Sequence, residues 1–221
     1  MLWWLMAGLF GWLAFREIYY GYVPRPGFDR PNPQSSLWFA MVLALIAAAF
    51  AYTPVRYWLF ERSLTQKAQI LSENSQAHVH CNTVADTLFD QNVFAAGHAQ
   101  FETGRIVFQY PWCARLMDHI KNPKRPTREE RFSMQLFAHE AMHVRGERDE
   151  AKTECQAIQR FVRASMLFGI PEDLARANGM TYFLHDYRQR AEQGTMSAQY
   201  FSLECAPGKA LDERLFDSTW R

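Results

Sequence analysis

The stretch TREERFSMQLFAHEAMHVRGERDEA, residues 127–151, decides the reading of the whole chain. Thr127-Arg128-Glu129-Glu130 is a capping box: the Thr127 hydroxyl and the Glu130 carboxylate can each satisfy an end amide of a helix that starts here. Phe132, Leu136 and Phe137 recur at helical spacing behind it. The helix is expected to carry through His143 and to end at Gly146, where a left-handed residue carries no side-chain penalty. A second helix is expected from near Asp149 to about Met166, so two helices should meet at a short turn.

His139 and His143 stand four residues apart on the first helix, so both imidazoles leave the same face, one turn apart. Two imidazoles so placed can occupy two corners of a tetrahedral zinc site. Glu140 lies about 100° around the helix from His139. That position puts its carboxylate beside a metal rather than on it, where it can take a proton from a metal-bound water and pass it on. The bland alternative is a surface helix with two solvated histidines.

Around this segment the pattern is α+β. Residues 77–84 alternate as a strand, and Ala99–Glu102 and Arg105–Tyr110 flank Thr103-Gly104 as a hairpin, with Ile106-Val107-Phe108 as the apolar strand. Pro111 should open a short helix to about Lys121. A third long helix is expected from Pro171 toward Arg190, irregular at Gly179, and the last 25 residues read as extended or irregular. His78 and His80 are most simply exposed strand residues.

Two apolar stretches precede this domain. Residues 37–56 carry no acid and no base before Arg56, and they read as a membrane-spanning helix, which needs about 20 apolar residues. Residues 2–22 are interrupted only by Arg16 and Glu17; no base precedes Leu2 and no small-residue cleavage site follows, so a first span fits better than a signal peptide. The expected organisation is therefore a transmembrane hairpin over residues 1–60, a stalk helix over 61–76 and a catalytic domain over 77–221, with the lipid bilayer as a partner. Arg16, Arg25 and Arg30 between the spans place that linker in the cytoplasm by the positive-inside rule, and the domain outside. Arg56, Arg62 and Lys67 pull the other way. All four cysteines, Cys81, Cys113, Cys155 and Cys205, follow the second span, as expected of two disulfides in an oxidising space, and four cysteines allow three pairings. A formal net charge of +1 on 221 residues gives no basic face for nucleic acid, and nothing in the sequence sets an oligomeric state.

Through His139-Glu140-Ala141-Met142-His143 the chain resembles the zincin metallopeptidases. More widely, His139 to Gly146, Asp149-Glu150-Ala151, Thr153-Glu154-Cys155 and the stretch from Cys205 to Asp212 resemble uncharacterised membrane-anchored zincin-like proteins of actinobacteria and their phages. The resemblance implies a zincin-like fold, a Zn2+ cofactor, a peptide or protein substrate held along a strand edge beside the active helix, and hydrolysis by a zinc-activated water with Glu140 as general base. The Arg105–Tyr110 strand is the candidate edge.

The third ligand is open among Asp149, Glu150 and Glu154. Asp149 fits the metzincin pattern with its last histidine replaced, and Glu150 with Glu154 resembles the gluzincin element at a much shorter separation. If the chain reverses at Gly146, Glu150 lies near His143 and Glu154 near His139. This favours Glu150 as ligand, Glu154 as acceptor of the His139 N–H, and Asp149 as helix cap. An oxyanion donor is sought in the third helix, with His185 the candidate beside Tyr182 and Tyr187. The preferred disulfides are Cys81–Cys113, tying the strand region to the helix before the active one, and Cys155–Cys205, pinning the tail behind the metal. Two rival readings stand beside the peptidase: a zinc hydrolase of a non-peptide acyl bond, and a membrane-tethered binding module that zinc only braces.

Overall fold

The computed structural model describes residues 2–23, 33–193 and 199–221. The chain divides into two compact units, Met1–Phe60 and Glu61–Arg221. In the first unit, helix α1 (Leu2–Tyr22) and the opening part of helix α2 (Pro33–Ser72) leave most of their large apolar side chains exposed, while Phe10 stacks on Phe50 with ring centroids 5.5 Å apart. Among the described residues, α2 is the one helix long and apolar enough to cross a membrane. The loop expected between the apolar stretches, with Arg25 and Arg30, lies largely outside the described residues.

The second unit is mostly helical around a small sheet, an α+β arrangement. It contains the end of α2, strand β1 (His78–Cys81), α3 (Val84–Phe89), β2 (Gly97–Gln100), β3 (Arg105–Phe108), α4 (Trp112–Lys121), α5 (Arg128–Arg145), α6 (Glu150–Gln159), α7 (Phe161–Leu167), α8 (Glu172–Tyr182), a π-helical turn (Phe183–Tyr187) and α9 (Arg188–Gln193). The expected stalk is not free-standing. Leu64, Ala68 and Leu71 recur at helical spacing and are fully buried, so the last turns of α2 belong to the domain core.

The sheet runs β1-β3-β2, with β1 parallel and β2 antiparallel to β3. The expected hairpin forms, but its first strand is Gly97–Gln100 rather than 99–102 and its turn takes in residues 101–104; Gly104 takes φ +70°, and a side chain there would meet the Gln76 carbonyl. The strand expected to hold substrate is corrected, because Arg105–Phe108 is the central strand and has no open edge. One outer edge is closed by side chains: Thr65 Oγ1 accepts from the Val79 amide and Glu61 Oε1 from the Cys81 amide, at 2.9 and 2.7 Å. The other outer strand is β2. Ala96 accepts from the Gln109 amide, so the alternation of antiparallel pairing turns the peptide groups of Gly97 and Ala99 away from β3.

Helix α5 is the hub, buried without interruption from Ser133 to Val144 and packed against α4, α6, α7, α8 and the sheet. Both bonds of its capping box are made, and Gly146 ends it at φ 119°. Asp149 then caps α6 through a 2.9 Å bond from the Lys152 amide. The helix expected over 149–166 breaks at Arg160 into α6 and α7. Gly179 does not disturb α8; it admits Phe161 and Thr219, which an added methyl would meet at 3.0 and 2.8 Å. The irregular turn comes later, at the π-helical Phe183–Tyr187. Disulfides join Cys81 to Cys113 and Cys155 to Cys205.

One buried group in this core sets an acid sensitivity. His119 on α4 is fully buried against the edge of Phe161, and neither ring nitrogen has a partner among the described residues. Burial first, and the nearby Arg131 charge second, pull its pKa from 6.5 down to about 4. The unfolded chain therefore binds the extra proton between pH 6.5 and 4, and stability drains away as pH falls through that window, by about 3 kcal/mol in all. Thermal unfolding of the full chain in detergent should show a flatter acid limb in His119→Leu than in wild type. Parallel limbs would refute the assignment.

Candidate metal centre

The helix turn at Gly146 folds α6 back along α5, and this brings Glu150 and Glu154 against the two histidines. His139 Nε2 and His143 Nε2 are 3.0 Å apart, and Glu150 Oε2 lies 3.2 Å from each. Behind this triangle the other ring nitrogens are engaged. His139 Nδ1 donates to Glu154 Oε2 at 2.8 Å, and His143 Nδ1 donates to the Glu147 carbonyl at 2.9 Å. Each partner can only accept, so both rings carry hydrogen on Nδ1 and turn Nε2 into the triangle, the nitrogen that offers a lone pair once its own proton is gone. Tyr182 closes the outer layer, its hydroxyl donating to Glu154 Oε1 at 3.0 Å.

Three acceptors so close repel one another unless something positive sits among them. Zinc bonds of 2.0–2.1 Å in tetrahedral geometry set ligand atoms about 3.3 Å apart. The sides of the triangle match that spacing, so the donor set fits a divalent cation. The protonation of the side chains responds to the same field. A proton answers this field as a cation would: burial opposes charge on both histidines, yet Glu150 and Glu154 outweigh it and raise His139 to about 10, and Glu150 raises His143, so a metal bound here would take the place of the Nε2 protons. Burial would raise the Glu150 carboxyl, but the two imidazoles hold it down at about 2.

Glu140 stands next to this cluster. It is buried, its Oε2 has no partner among the described residues, and burial raises its pKa above the usual carboxylate range. Gly97 on β2 makes room for it: an added Cβ would sit 3.0 Å from the Val107 carbonyl and 3.2 Å from Glu140 Oε1. A cavity of about 450 Å³ opens over these groups. Its lining includes β2, Phe132, Leu136, Tyr200, Phe201 and Arg190, and Phe101 stands edge-on to His143 at 5.4 Å.

The residues singled out from sequence divide accordingly. His139, His143, Glu140, Glu150 and Glu154 come together, and Asp149 is spent on the α6 cap. His78, His80, His185, Tyr182 and Tyr187 do not line this cavity. His185 is exposed on the π-helical turn, Tyr182 lies behind the histidines, and the Tyr187 hydroxyl is bonded to the backbone of Ser202. His80 is held by Glu61 at 2.9 Å. Sequence reading missed Tyr200. Its ring centre lies 6.1 Å from that of His139, and burial first, then the Glu150 charge, raise its phenol pKa. The signal available for it was indirect: Cys205, five residues on, ties this part of the tail to α6. Comparison of the chain with protein-family models, with curated proteins and with solved structures finds no match.

Proposed function

We propose that the protein is a membrane-anchored, zinc-dependent peptidase of zincin type. The observation that carries the reading is the triangle of His139 Nε2, His143 Nε2 and Glu150 Oε2, with the unpartnered carboxylate oxygen of Glu140 beside it. Zinc held there supplies a Lewis acid that acidifies a water and polarises the scissile carbonyl. Glu140 takes the proton of the attacking water and delivers it to the departing amine nitrogen. Glu154, braced by Tyr182, keeps His139 in the ligating tautomer. Tyr200, whose phenol keeps its proton, replaces His185 as the donor to the developing oxyanion.

A peptide is favoured over other acyl substrates because the outward peptide groups of Gly97 and Ala99 offer an extended chain a strand to pair with along the cavity. A purely structural zinc site is disfavoured because such sites hold four protein ligands, and the described residues bring three. The two disulfides and the charge between the apolar stretches support a domain outside the cytoplasm, with α1 as well as α2 in the bilayer.

The test uses the full chain in detergent. It should contain about one zinc per chain by plasma mass spectrometry and should cleave members of a quenched-peptide library. Stripping with a chelator should abolish cleavage, and stoichiometric zinc should restore it. Cleavage that survives complete removal of metal would overturn the reading, and cleavage of esters alone would transfer it to another acyl hydrolase.

A further inference from the structure

We infer that the cavity selects substrates bearing a carboxylate close to the bond that is cut, and that Arg190 receives it. The inference rests on the peptidase reading for its substrate and on independent observations for its charge. Apart from the metal-side histidines and glutamates, the cavity wall is largely apolar, with Phe94, Phe101, Phe132, Leu136 and Phe201 prominent, and Arg190 is the one permanent cation among the described lining residues. A second cavity, which contains Trp112, Arg128 and Asp186, shares Ala96, Phe132 and Arg190 with the first, so Arg190 stands where the two adjoin.

The two arginines differ in what they have left to offer. Arg128 is committed to the buried Asp186 carboxylate. Arg190 has no ion pair among the described residues; its guanidinium lies over the Phe201 ring at 5.3 Å, and that ring rests edge-on against Tyr187 at 5.2 Å. A ring face orients a guanidinium without consuming its N–H groups. The planar fork of donors thus remains available, and a carboxylate is the group that matches it in charge and in bidentate geometry. Two sources supply that group: the terminal carboxylate of a peptide or the side chain of an aspartate or glutamate.

The experiment compares two pairs of fluorescein-labelled hexapeptides on the zinc-loaded full chain in detergent. One pair differs only in a free acid against an amide at the C-terminus; the other carries that amide and differs in glutamate against glutamine within the sequence. Both kcat/KM for wild type and Kd for Glu140→Gln, read by fluorescence anisotropy, are measured. The acid member of one pair should be favoured about tenfold or more, as a charge-assisted contact gives. The ratio should collapse toward one in Arg190→Gln and persist in part in Arg190→Lys, both with wild-type zinc content. Preference in the first pair identifies a chain-end carboxylate, and in the second an acidic side chain. Equal Kd within both pairs, or an unchanged ratio in Arg190→Gln, overturns the inference. Cleavage without preference sinks this inference and leaves the peptidase reading; preferential binding without any cleavage does the opposite.

Discussion

Glu140→Gln should retain about one zinc per chain and lose hydrolysis by about 100- to 10,000-fold, the range that a positioned proton-transfer group contributes. The amide has the size of the carboxylate, so it fits the slot that Gly97 leaves open. Glu140 is not one of the three converging donors, so the cation has no reason to leave. What disappears is the base. His143→Ala separates the two roles from the other side, because it removes one corner of the triangle and should lose metal and turnover together. Bound zinc and turnover, measured on the same preparations, check both expectations. A Glu140→Gln variant that cleaves at the wild-type rate would rule out this mechanism.

The second large effect concerns the acids that follow Gly146. Glu150→Ala should lower zinc affinity more than any other change on α6, since its Oε2 lies 3.2 Å from the Nε2 of both histidines. Glu154→Ala should lower it by about 10- to 100-fold, because it frees the His139 ring to rotate and to change tautomer. Asp149→Ala should leave affinity intact and cost about 1 kcal/mol of stability through the lost cap. Competition titration against a zinc chelator orders the three. An Asp149→Ala variant stripped of metal beside a Glu150→Ala variant that keeps it would replace this assignment with a metzincin-like one.

How much of this was legible in the sequence depended on distance along the chain. The capping box, the histidine spacing, the Gly146 turn and the placement of Glu150 and Glu154 are set within two adjoining helices, where periodicity alone fixes which faces meet. The two disulfides are the preferred pairs, although four cysteines by themselves leave three pairings open. The sheet was read less well. Ile106-Val107-Phe108 is a continuous apolar run, as suits a strand buried on both faces in the middle of a sheet, whereas Gly97-His98-Ala99-Gln100 has little strand propensity to mark it as the wall of the cleft. The expectation of a stalk over 61–76 gives way because Leu64, Ala68 and Leu71, apolar residues at helical spacing in a polar stretch, are buried in the domain. The aromatic residues and the histidine in the third helix point there for an oxyanion donor. The π-helical turn leaves His185 exposed, and Tyr200 reaches the cavity from an irregular segment that no periodicity describes.

The placement of the metal donors also bears on the order in which the molecule is assembled. Every group from His139 to Glu154 belongs to one helix–turn–helix, so closing the triangle constrains little chain. The part of the lining that comes from the tail is different: Tyr200 and Phe201 lie close to Cys205, which is cross-linked to a residue 50 positions earlier in sequence. Loop-closure entropy therefore falls on the wall and hardly at all on the donors. During synthesis β2 and all five groups from His139 to Glu154 emerge before Tyr200 and Phe201, so under the proposed reading metal could be held before this last wall is in place, and the wall is fastened by the Cys155–Cys205 bond.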